Sequence, residues 1–108
     1  MIKASILSIG DELLIGQVID TNSVWLSEQL NFLGISIFQK STVPDIKEEI
    51  IRHIDLAFST SDIIIITGGL GPTADDLTKE CLATYFQVDY IQDQKSLAHI
   101  LNIFDKKV

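Results

Sequence analysis

Positive charge is scarce in this sequence: eight basic residues, of which Arg52 is the one arginine, face fifteen acidic ones and leave a formal net charge of −7. Nucleic-acid surfaces need clustered lysine and arginine, and no basic stripe is visible, so a nucleic-acid partner is excluded. Cys81 is the single cysteine, which rules out a disulfide framework and a cysteine-based metal knuckle. Beside Leu82 in a helical pattern, it reads as a small packed side chain rather than a nucleophile. No apolar run approaches the ~20 residues of a membrane span, and the stretch after Met1 is too short for a signal peptide. The expectation is a cytoplasmic chain without a membrane partner.

What is present is a core's worth of apolar residues, 46% of 108, arranged as alternating strand and helix patterns in a single domain. Ala4 to Ile9 reads as a strand ended by Gly10-Asp11-Glu12. Leu26, Leu30 and Leu33 fall at helical spacing between Asn22 and Leu33, with Thr21 or Asn22 as cap and Gly34 as stop. Ile35 to Val43 is a second strand. Pro44-Asp45 opens the next helix, where Asp45 and Glu48 have capping-box spacing and Ile50, Ile51, Ile54, Ala57 and Phe58 form the stripe to be buried. Ile63 to Ile66, uniformly apolar and β-branched, suits a third strand covered on both faces. A helix follows, starting near Thr73 to Asp76 and running to about Phe86; then come a short strand at Val88 to Ile91 and a helix at Gln94 to Lys107. The order β-α-β-α-β-α-β-α predicts a mostly parallel sheet with helices on both faces, and ligands beyond the carboxyl ends of its strands.

Those ends carry Gly10-Asp11-Glu12, Val43-Pro44-Asp45 and Thr67-Gly68-Gly69. The third continues as Leu70-Gly71-Pro72-Thr73-Ala74-Asp75-Asp76-Leu77-Thr78-Lys79-Glu80. Glycines here let the backbone turn sharply and approach a ligand without a Cβ, and helix N–H groups beyond them would face an anion. Asp75, Asp76 and Glu80 would repel that anion unless a cation lay between. A phosphate-bearing ligand with a divalent metal follows. Gly69-Leu70-Gly71-Pro72-Thr73-Ala74 fits the dinucleotide fingerprint only formally, because Pro72 has no N–H and the loop follows the third strand. A Walker loop is excluded by the lack of Gly-Lys-Ser/Thr. The plainer alternative is a tight strand-to-helix turn with acids complementing the helix dipole. His53 and His99 lie away from the strand exits and receive no role.

The segments Ile9-Gly10-Asp11-Glu12-Leu13-Leu14-x-Gly16, Asp20-Thr21-Asn22 and Thr67-Gly68-Gly69-Leu70-Gly71-Pro72-Thr73-x-Asp75-Asp76-Leu77-Thr78-x-Glu80 closely resemble the N-terminal domain of CinA, the competence and damage-inducible protein. That domain belongs with the molybdopterin-binding domains of MogA, MoaB and MoeA. The resemblance covers roughly residues 4 to 90 and implies a three-layer α/β/α fold and association as a dimer or trimer. For the CinA branch it implies a metal-dependent ADP-ribose pyrophosphatase; for the cofactor branch, a module binding molybdopterin. By the same resemblance, Thr67, Gly68, Gly69 and Gly71 bind ligand phosphate or pterin, and Thr78 either contacts the ligand or bonds locally near the helix start. Asp45 and Asp76 are catalytic, and Asp11, Glu12, Asp75 and Asp76 form the acidic set for a magnesium or cobalt ion. Leu70 and the doubled Asp75-Asp76 fit CinA better than MogA. Lys79 is either a charge neutraliser or a solvated side chain, and Asp20 and Asn22 are helix caps or ligand contacts. The family's domain is longer than residues 1–108, and the last helix reaches Val108 without a glycine stop. The expectation is therefore a C-terminally incomplete domain, and an inactive binding domain is the third alternative.

Overall fold

The computed structural model describes residues 1–16, 19–71, 76–88, 95 and 98–99. Its elements are β1 (Lys3–Ile9), α1 (Asp11–Leu14), α2 (Thr21–Phe32), β2 (Ser36–Val43), α3 (Lys47–Thr60), β3 (Ile63–Thr67) and α4 (Thr78–Phe86). The three strands form one parallel sheet in the order β2-β1-β3, as the alternating pattern predicts. The one-turn helix α1 is new. The expected fourth strand and last helix fall largely outside the described residues; Val88 is not in a strand, and Lys95, Ala98 and His99 are helical.

β1 is the strand covered on both faces: every residue from Ala4 to Ile9 is buried. Leu7 and Ile9 join Val43, Ile50, Ile54, Ala57 and Cys81 in the core under α3 and α4. The alternate residues, small at Ala4 and Ser8, face the other way, toward α2, where Ser8 lies close enough to the Asp20 carboxylate to lower its pKa. Helices therefore flank the sheet on both faces. β3 does not meet the expectation of full cover. All five of its residues are half-buried, because the strand order places it at the edge of the described sheet. The stripe on α3 holds at Ile50, Ile54 and Ala57, while Phe58 is exposed and stacks on Tyr85 with ring centroids 5.7 Å apart.

Two helix starts depart from expectation. α3 begins at Lys47 with Ile46 at the cap position and no side-chain cap, so Asp45 and Glu48 form no capping box. The reason is local: the Ile46 N–H is taken by the Pro44 carbonyl at 2.8 Å, a tight i to i+2 turn that delays the helix. α4 begins at Thr78 rather than among residues 73–76. There the Thr78 N–H donates to the Gly69 carbonyl at 3.0 Å and its hydroxyl to the Gly68 carbonyl at 2.8 Å, so the glycine loop sets the helix start. Asp20, in contrast, is a working cap of α2, accepting from the Ser23 N–H at 3.1 Å.

Candidate functional site at the exits of β1 and β3

β1 leads through α2 to β2 on one side of the sheet, and the chain then crosses to β3 on the other. Neighbouring strands whose connections diverge leave a crevice at their carboxyl ends, where open α/β sheets bind ligands. A cleft of about 230 Å³ lies there. Ile9, Thr67 and Gly68 line it together with Glu12, Asp20, Thr21 and Asn22. The segment Asp20-Thr21-Asn22 thus lines the cleft, where the sequence favours helix capping over ligand contact for Asp20 and Asn22. Asp20 does both: it caps α2 and faces the cleft. Partial burial pushes its carboxyl pKa up, but hydrogen bonds from Ser8 and Ser23 and the positive charge of Lys40 outweigh this and hold it below the ordinary value.

The glycine loop is fixed by its neighbours. Gly68 has φ +86°, and a Cβ there would run into the Ile9 carbonyl oxygen, a backbone atom that cannot step aside. Gly69 has φ +64°, and a Cβ would strike the Thr78 hydroxyl. Only glycine combines positive φ with such close approach. At Gly71 an added Cβ would lie 2.6 Å from an Asp76 carboxylate oxygen, so that carboxylate stands directly over the loop. Thr78, expected either at the ligand or bonding locally at the helix start, is fully buried and spends its hydroxyl on the Gly68 carbonyl, the local alternative. Thr67 and Gly68 line the cleft.

The predicted acids divide into separate groups. Asp11 and Asp45 meet one strand away, where Asp11 Oδ1 accepts the Asp45 backbone N–H at 3.1 Å. Glu12 folds back over Gly10 and faces the cleft. Asp76 stands at Gly71, and Asp75 lies outside the described residues. Among the described residues no three His, Cys, Asp or Glu side chains gather closely enough to hold a metal by themselves. The donors are all oxygen, as magnesium requires, and magnesium commonly takes one or two carboxylates with ligand phosphates and water completing its shell. The residues therefore suit an ion brought in with a phosphate. Cys81 is buried, and burial pushes its thiol pKa up, which agrees with a packing role.

Residues 5–108 match the family model described as "Probable molybdopterin binding domain". The chain belongs to this family. It is 48% identical over 103 residues to a CinA-like protein of Cytophaga hutchinsonii, covering 95% of this chain and 25% of that protein. A CinA-like protein of Dictyoglomus thermophilum is 45% identical over 105 residues, covering 97% and 26%. The chain thus spans about a quarter of the length of these curated relatives. Among solved structures, the protein CinA from Thermoplasma acidophilum superposes with a TM-score of 0.84 at 32% identity, covering 95% of this chain and 61% of that one. The molybdopterin biosynthesis enzyme MoaB of Thermus thermophilus gives 0.72 at 26% identity, covering 78% and 54%. The α/β fold and the CinA-like kinship are as the motifs imply. Among the described residues no helix is long and apolar enough to cross a membrane.

Proposed function

We propose that this domain binds a phosphate-bearing small molecule at the β1/β3 crevice and, with a divalent ion, hydrolyses a pyrophosphate of the ADP-ribose type. The observation that carries this reading is the glycine loop. Two successive glycines in left-handed conformation, one pressed on the β1 backbone and the other on Thr78, open bare peptide groups beside an acid-lined cleft. Such peptide arrangements bind anions. A divalent ion would be held by Asp76 or Glu12 together with ligand phosphates, Asp45 standing apart beside Asp11, and it would neutralise and polarise the pyrophosphate. The chain's own part is to seat one phosphate on the loop, to orient the ester through Asp20, Thr21 and Asn22, and to take the proton of the attacking water on a carboxylate. Water oxygen bonds to phosphorus, the bridging P–O bond breaks, and AMP and ribose 5-phosphate leave. The cleft of about 230 Å³ is below the roughly 300–1,000 Å³ of pockets that enclose whole ligands, so these residues seat the phosphate end.

A second reading, a molybdopterin-binding module, is favoured by the family model and by the likeness to MoaB. Calorimetric titration of ADP-ribose with magnesium or cobalt, followed by an assay for AMP, separates the two. Binding with AMP release supports the hydrolase; retention of molybdopterin without turnover supports the module.

A further inference from the structure

Thr78 makes two bonds to consecutive residues of the loop: its hydroxyl donates to the Gly68 carbonyl at 2.8 Å and its N–H to the Gly69 carbonyl at 3.0 Å. The side chain is fully buried, ten residues beyond the carbonyl that its hydroxyl holds. No peptide bond among the described residues is cis, and in a planar trans peptide the C=O and N–H point in opposite directions. When both carbonyls are drawn toward Thr78, the N–H groups of the same two peptides, those of Gly69 and Leu70, are turned away from it together. Two successive N–H groups on one side are the elements of an anion-binding nest.

We infer that Thr78 is the positioning residue of the phosphate loop: it does not touch ligand, but its hydroxyl fixes the peptide between Gly68 and Gly69 so that the Gly69 N–H faces an incoming phosphate. This rests on the phosphate-binding role given to the loop above. It replaces direct ligand contact as the use of Thr78, and it explains why a threonine with a buried hydroxyl opens α4. Gly69 is part of the same device, since a side chain there would strike the clamping hydroxyl. The backbone bond from the Thr78 N–H survives any substitution except proline, so the hydroxyl's share can be isolated.

The test is titration of inorganic pyrophosphate with magnesium into the 108-residue protein, followed by the amide resonances of Gly69 and Leu70, for wild type, Thr78→Ser and Thr78→Val. Wild type and serine are expected to bind alike with both amides shifted, and valine about tenfold more weakly, the scale of one hydrogen bond to a charged group. Valine binding as tightly as wild type, with the same Gly69 shift, overturns the proposal. If valine fails to fold, Thr78→Ser against Thr78→Ala repeats the comparison, since both lose the methyl and they differ only in the hydroxyl. If wild type itself binds no pyrophosphate, the phosphate reading of the loop fails, and the clamp is judged in the free proteins. A Gly69 amide displaced in valine but not in serine then supports it, and one unmoved in valine contradicts it.

Discussion

Gly68 shows at the scale of one residue how the site constrains the sequence. Its φ of +86° and its contact with the Ile9 carbonyl give a side chain neither a conformation nor a space. Gly68→Ala is expected to destabilise by at least about 2 kcal/mol, from the left-handed cost plus overpacking against backbone, measured by urea denaturation. Gly71→Ala, which meets only the movable Asp76 side chain, should cost less than Gly68→Ala in the same assay. Asp20 carries the pH dependence. Its folded pKa lies below the unfolded value of 3.8, so its carboxylate adds stability that is fully present above that pH and is lost as pH falls through the lower folded value. Asp20→Ala is therefore expected to cost about 1 kcal/mol near neutrality, as for other helix caps, and the gap from wild type should close below pH 3.8 in melts across that range. A gap that widens in acid would contradict the assignment.

At the scale of elements, what the sequence disclosed was uneven for identifiable reasons. Strand and helix existence followed from periodicity, and β1, β2 and β3 lie within a residue of expectation. Cover did not follow from composition: among the described residues the isoleucine-rich β3 is the half-buried edge, while β1, with Ala4, Ser5 and Ser8, is the centre and is buried from Ala4 to Ile9. Strand order decides this, and order is not written in any one segment. Helix starts failed where other backbone carbonyls intervened, locally from Pro44 at Ile46 and from the glycine loop at Thr78, because no side-chain pattern announces such partners. The end of α4 shows a local cost. Gln87 closes it in left-handed conformation, φ +55°, where glycine is the unstrained residue. Gln87→Gly is expected to raise stability by about 0.5–1 kcal/mol, the difference between relieved strain and added unfolded-state entropy, read from the shift in denaturation midpoint.

Across the whole molecule, the order β2-β1-β3 places the crevice at the exits of β1 and β3, and Thr67-Gly68 and Asp20-Thr21-Asn22 line it. The sharp turn at the glycine loop was legible from residue type, whereas Thr67 was named only through the resemblance. Asp20-Thr21-Asn22 was legible only as a motif; its place on the cleft wall depends on the entry of α2 across the end of β1. The acids proposed for a metal were less legible, because carboxylates at the strand exits separate in space: Asp11 supports Asp45, Asp76 stands over Gly71, and Glu12 turns back on Gly10. With an ion taking part of its shell from ligand phosphate, that separation is compatible with binding, and the cation and the nucleotide should then depend on each other. The most direct measurement is titration of ADP-ribose into this protein with and without magnesium, repeated on Asp76→Asn, with AMP assayed in the mixture. Saturable binding that needs the metal and is lost in Asp76→Asn, with AMP released, is the expected result. Binding of equal strength in Asp76→Asn, or none in a folded wild-type chain, would contradict a metal-assisted phosphate site at the glycine loop.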